Sequence, residues 1–283
     1  MIRTAAAFVA LLAAPALLHA QGYDTLKKIR DSKTVTIAYR TDAVPFSSEK
    51  DKQAVGYTVE ICKRVVANLE QQLKIQPLAV KWVAATSQNR MDLVKNKQAD
   101  MECGSTTATF SRMEQVDFSS AVFLDTTCVL VSKASGATNF AGLAGKKIAV
   151  VGGTTNQKAI EAAMKRASIS VNVVTVANRD AGVKALEAGS VDAFASDKIL
   201  LIGIAPKVKD ATKYEMLAED FGFEPYAIVL PRGDASFRLA VNRALAQIYR
   251  SDAIIEIFRG TFGADFSPSP ALLVMYGLGS LPD

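Results

Sequence analysis

At 283 residues, 49% of them hydrophobic, the chain is long enough for two modest domains or one large one, and disorder does not dominate it. Its formal charge of +5 comes from Lys and Arg scattered along the sequence beside a single Trp, which argues against the clustered basic and aromatic surface of a nucleic-acid binder. The one histidine, His19, falls in the first twenty residues, so the remainder can run neither Ser–His nor Cys–His catalysis nor build a histidine metal site, and no metal or cofactor is expected.

Residues 1–20, MIRTAAAFVALLAAPALLHA, set one Arg ahead of an Ala/Leu-rich run ending in a small residue, the pattern of a cleaved secretory signal with cleavage after Ala20. Beyond it, strand-like and helix-like runs alternate: VTIAY, a helix from about Val55 to Gln72, LAVKWV, a helix after Thr86, then ADMEC. After Ser132 the pattern restarts with KKIAVV, a helix opening at Thr154, VNVVTV, a helix over about Ala181 to Glu187, and VDAFAS. This alternation predicts an α/β fold of two lobes, each a mainly parallel sheet flanked by helices. EPYAIVLP is a further strand, Ser236 to Phe258 carries one long helical periodicity, and the apolar, Pro/Gly-punctuated tail from Ser267 is expected to pack across the first lobe.

Three cysteines lie in the exported part. Cys62, on an apolar helix stripe, reads as a buried free thiol. Cys103 and Cys128 both fall in short apolar strands. A bridge between them closes a loop of about 25 residues and is expected to contribute roughly 3 kcal/mol.

The densest chemistry lies between Thr86 and Arg112. TSQNR puts Ser87 and Arg90 at the first turn of a helix, ADMECG is a short buried strand, GSTT offers backbone N–H groups and three hydroxyls, and Arg112 adds a planar fork that matches a carboxylate. Surface arginines and Ser/Thr-rich loops are the competing reading. In parallel α/β sheets binding groups gather at the carboxyl ends of strands, where Arg40, Ser105, Thr154 and Asp197 all fall. Thr154 and Thr155 open a helix, a position favourable to an anion, although an ordinary N-cap accounts for such a threonine and also for Asp197.

TSQNR, ECGSTT and VGGTTNQ, with VTIAYRTDAVPFS and ALEAGSVDAFASDKILL in matching order, resemble the periplasmic solute-binding proteins of family 3, most closely the glutamate/aspartate-binding members that serve ABC transporters. The resemblance implies a type II periplasmic-binding-protein fold with two hinge crossings, near Leu124–Thr127 and Glu224–Ala227. Residues 21–125 and 226–283 then form a discontinuous first lobe and residues 126–225 the second. It further implies that Arg112, Ser105, Thr107 and Thr155 hold the ligand's α-carboxylate, that Asp197 with Ser105 meets the α-ammonium, and that Arg40, Ser87 and Arg90 hold a distal carboxylate. Arg179 stands where some relatives have histidine and, with Thr154, is a further candidate there. Charge counting agrees: arginines in excess of one aspartate call for a second carboxylate.

The expected protein is thus a monomeric periplasmic binder of L-glutamate and L-aspartate with an ABC transporter permease as partner, and not an enzyme. Two alternatives stay open. The scaffold also hosts a cyclohexadienyl dehydratase, whose proton donor the sequence does not obviously supply, and closure can instead report to a sensory receptor.

Overall fold

The computed structural model describes residues 24–282, so the signal segment expected over residues 1–20 lies outside the described residues. In chain order the elements are α1 (Thr25–Ser32), β1 (Thr34–Arg40), β2 (Asp42–Ala43), β3 (Ser47–Lys50), β4 (Gln53–Val55), α2 (Tyr57–Leu73), β5 (Ala79–Ala85), α3 (Arg90–Lys95), β6 (Met101–Cys103), α4 (Phe110–Met113), β7 (Asp117–Asp125) and β8 (Thr127–Ser132). They continue with β9 (Lys147–Val151), α5 (Thr155–Ala167), β10 (Asn172–Val176), α6 (Arg179–Glu187), β11 (Ala193–Asp197), α7 (Lys198–Ile204), β12 (Tyr214–Met216), β13 (Glu224–Leu230), α8 (Ala235–Arg250), α9 (Ala253–Phe262) and α10 (Pro270–Gly279).

Two five-stranded sheets result, ordered β5-β1-β6-β13-β7 and β10-β9-β11-β8-β12. In each, one strand opposes the other four: β13 in the first sheet and β8 in the second. Strands buried on both faces need unbroken apolar runs, and KIAVV supplies one. Ile148 and Val150 join Ile160 and Ala163 of α5 on one face, while Ala149 and Val151 join Val183 and Leu186 of α6 on the other.

The chain leaves the first sheet at Thr126 and returns just before β13. The two crossings lie side by side, since Asp125 and Glu224 are register partners and the Phe221 N–H donates to the Thr127 carbonyl at 2.9 Å. The helical periodicity from Ser236 to Phe258 is not one helix. It breaks at Ser251, where extended backbone (φ −107°, ψ 166°) ends α8 and the hydroxyl turns back to the Ile248 carbonyl. The tail forms α10, which packs against β7 and α8 and buries Leu272 and Tyr276.

The cysteine expectation is corrected. Cys62 on α2 is bonded to Cys103 at the end of β6, and Cys128 is a buried free thiol. Cys103 ends a strand of the first sheet, whereas Cys128 sits in β8 of the second, beyond the crossing. Cys62 shares a single core with Cys103, Ile61 and Met101, with Cα atoms 6.4 Å apart, a span a disulfide bridges. Proximity in the fold, not spacing along the chain, selects the partner.

Candidate functional site

Neighbouring parallel strands deliver the candidate residues together. In the first sheet β5, β1 and β6 run side by side, so Ser87 and Arg90, Arg40, and Ser105 with Thr107 emerge from adjacent carboxyl ends. In the second sheet β10, β9 and β11 do the same for Arg179, Thr154 with Thr155, and Asp197. The two sets of ends face one another across a closed cleft. Arg112 spans it, donating from Nη1 to the Thr107 carbonyl at 2.7 Å and from Nη2 to the Gly153 carbonyl at 3.3 Å. Gly153 presents that carbonyl from a left-handed turn, φ +74°. Gln88, which the sequence did not single out, closes the rim by donating to the carbonyls of Gly152 (3.3 Å) and Ala177 (3.0 Å).

Burial is severe for such polar groups. Arg40 is wholly buried, and Ser87, Arg90, Arg179, Ser105, Thr107 and Asp197 are nearly so. Side chains this polar are seldom fully buried without partners. Yet of the eight buried side-chain atoms lacking a hydrogen bond among the described residues, six lie here: Arg40 Nη1, Ser87 Oγ, Arg90 Nε, Glu102 Oε1, Ser105 Oγ and Arg179 Nη1. These unmet atoms, five donors and the Glu102 carboxylate oxygen, are concentrated at one place, which is the signature of a polar guest's cradle.

Asp197 occupies the N-cap position of α7 but makes no side-chain cap. Its carboxylate accepts instead from Asn156 Nδ2 and from the Tyr226 hydroxyl, each at 2.5 Å. Thr154 also flanks a helix without capping it, its hydroxyl donating to the Val151 carbonyl at 2.7 Å. The hydroxyls of Thr107 and Thr155, from opposite sheets, stand 3.5 Å apart.

The charge count read from the sequence needs correction, because four more carboxylates line the cleft. Asp42 pairs with Arg40 at 2.5 Å and lies 3.7 Å from Arg179. Glu102, wholly buried, accepts from the Thr106 hydroxyl at 2.8 Å. A Cβ on Gly104 would strike the Glu102 carboxylate and the Arg40 chain, so only glycine lets that carboxylate lie against the loop. Asp125 and Glu224 stand at the two crossings. Excess positive charge therefore survives only locally, where Arg40, Arg90 and Arg179 face Asp42 and Glu102, while Arg112 faces Asp197 and Glu224. Asp42, Glu102 and Glu224 lie inside apolar or turn-flanked runs, IAYRTD, DMECG and GFEPY, but nothing in those runs distinguishes them from surface charges.

Titration follows burial. Burial, with Arg90 and Arg179 nearby, lowers Arg40 to about 10 against the pull of Asp42 and Glu102. Burial and the Arg112 charge bring Arg90 to about 10. Both stay cationic at neutral pH. Burial raises Glu102 and Glu224, with the Asp197 charge adding to the latter, and burial plus Asp197 pushes Asp125 up to about 8. Asp42 moves the other way, since Arg40 and Arg179 more than offset its burial. Glu102 and Glu224 are thus buried carboxyls in the cleft that the sequence did not single out.

Two α/β lobes, paired crossings and a buried polar cleft define the class of two-lobed ligand-binding proteins. The chain matches the family of bacterial extracellular solute-binding proteins, family 3, over residues 35–264, and belongs to it. It is 31% identical over 261 residues to the L-glutamate/L-aspartate-binding protein of Pseudomonas aeruginosa, covering 92% of this chain and 86% of that one. The glutamate/aspartate import solute-binding protein of Escherichia coli is 30% identical over 228 residues, 80% of this chain and 76% of the other. Among solved structures, an ancestral amino acid-binding protein that is a precursor of cyclohexadienyl dehydratase superposes with a TM-score of 0.72 at 22% identity, over 84% of this chain and all of that one. That last likeness concerns the fold alone.

Proposed function

We propose that this protein captures L-glutamate and L-aspartate in the periplasm by closing its two lobes and delivers them, as a monomer and without chemistry, to an ABC transporter permease. The observation that carries the reading is the cluster of buried donors without a hydrogen-bond partner on Arg40, Ser87, Arg90 and Arg179, which calls for a carboxylate at that end. In this reading Arg112, with Ser105, Thr107 and Thr155, takes the α-carboxylate, and Asp197 the α-ammonium, helped by Ser105. Arg40, Ser87 and Arg90 take the distal carboxylate, with Arg179 beside them. Thr154, whose hydroxyl is committed to Val151, contributes through position only. The two named relatives support the ligand class.

The lobes are read as residues 21–125 with 226–283 and residues 126–225, after removal of residues 1–20. Ligand touching both lobes binds the shut form far better than the open one, and that difference drives closure. The decisive experiment is a calorimetric or thermal-shift screen of the purified exported chain against the common amino acids. The two acidic ones should bind tightest; stronger binding of glutamine or of a basic amino acid sinks the assignment of Arg40 and Arg90.

A further inference from the structure

Glu224 holds the very hydroxyls that an amino acid's α-carboxylate needs. Its Oε2 accepts from Thr107 Oγ1 at 2.5 Å and from Thr155 Oγ1 at 2.6 Å, one threonine from each lobe. Its Oε1 accepts from Thr127 Oγ1 at 2.8 Å, and that hydroxyl in turn accepts from Asn156 Nδ2 at 2.9 Å. A hydroxyl has one proton to give. While Glu224 is ionised, the Thr107 and Thr155 protons are spent on it, and an arriving carboxylate meets two oxygens whose hydrogens point elsewhere and a like charge behind them.

We infer that Glu224 is a positioning residue for the hydroxyls of the α-carboxylate end, and that capture of an amino acid brings one proton from solvent onto its carboxylate. The new O–H forms on Oε2 and donates to one threonine oxygen. That threonine then turns its own O–H toward the ligand's α-carboxylate, so every hydroxyl proton again has one acceptor. The proton also removes the repulsion between two carboxylates sharing a buried site.

The charged groups facing Glu224 are Arg112 from α4, Asp197 from the end of β11 and Asp125, its register partner on β7. Burial first, and then the Asp197 charge, favour protonation and hold the carboxyl above its ordinary range. The inference rests on the proposed reading of the Arg112 end as the α-carboxylate site, and does not depend on which side chain the distal end selects.

The test is calorimetry of the full exported chain with L-glutamate on the alkaline side of neutrality, in phosphate and in Tris, whose ionisation enthalpies differ. Wild type should take up close to one proton per ligand, with Kd rising by up to about tenfold per pH unit. Glu224→Gln should bind with no uptake and a Kd flat in pH. Identical enthalpies in the two buffers for wild type overturn the inference, as does undiminished uptake in Glu224→Gln. Should Glu224→Gln not fold, Asp125→Asn decides: uptake must persist there, and its loss assigns the proton to Asp125 instead. Should wild type prefer another amino acid, the distal-end reading fails, while the proton count taken with that ligand still tests Glu224.

Discussion

Replacing Arg90 with alanine should separate dicarboxylates from all other amino acids. Arg90 is almost wholly buried, its Nε has no protein partner, and its charge sits beside Glu102 and Arg112. Truncating one member of a desolvated charge pair costs about 2–5 kcal/mol, so Kd for L-glutamate should rise roughly 30-fold to several thousand-fold. An amide such as glutamine loses one hydrogen bond from the guanidinium to an uncharged oxygen, about 1.5–3 kcal/mol or roughly 10- to 150-fold, and so less than the acid. The variant also strips Glu102 of a cationic neighbour, so the ligand-free protein should melt earlier. Titrations therefore belong well below the measured melting temperature. Isothermal calorimetry with L-glutamate, L-aspartate and L-glutamine on both proteins gives the comparison. Equal loss for the acid and its amide would refute the reasoning, since it would mean that Arg90 supports the cleft without meeting the second carboxylate.

Arg112→Ala should abolish binding of every amino acid, because its guanidinium ties Thr107 to Gly153 across the cleft and, in the proposed reading, meets the α-carboxylate; retained binding of any one of them in calorimetry counts against that role. The Cys62–Cys103 bond spans 41 residues, for which loop-closure entropy gives about 4 kcal/mol, so Cys62→Ala should lower stability by up to that amount in denaturant melts. Alkylation of the unreduced, unfolded chain should label Cys128 alone, and three labelled thiols would contradict the bridge. Asp125 carries a folded-state value raised to about 8, so the native form binds more protons than the unfolded one, and stability should fall as pH rises from the ordinary carboxyl range toward 8. Asp125→Asn should flatten that decline; an unchanged slope in thermal melts across this window argues against it.

The strand pattern was readable because each parallel strand is a short apolar run ending in a polar motif, and β1, β9 and β11 carry Arg40, the GGTT turn and Asp197 at those ends. The hydroxyl and guanidinium candidates were readable for the same reason. What spacing does not reveal is which elements touch. Cys62 finds Cys103 only because α2 lies on β6, and the break between α8 and α9 depends on one extended residue, Ser251, inside an otherwise unbroken helical period. The buried acids were missed for another cause. Asp42, Glu102, Asp125 and Glu224 look like ordinary surface charges until sheet register brings them against the arginines, and their weight in the site comes from desolvation, which no linear count contains.

A hinged machine can be stapled only on one side of its joint. Both sulfurs of the single bond lie in the half that carries Arg40, Arg90 and Ser105, so oxidation stiffens the platform from which these groups project and leaves the swing of the other half untouched. A bridge from Cys103 to Cys128 would have fastened one half to the other and resisted the opening through which cargo enters and departs.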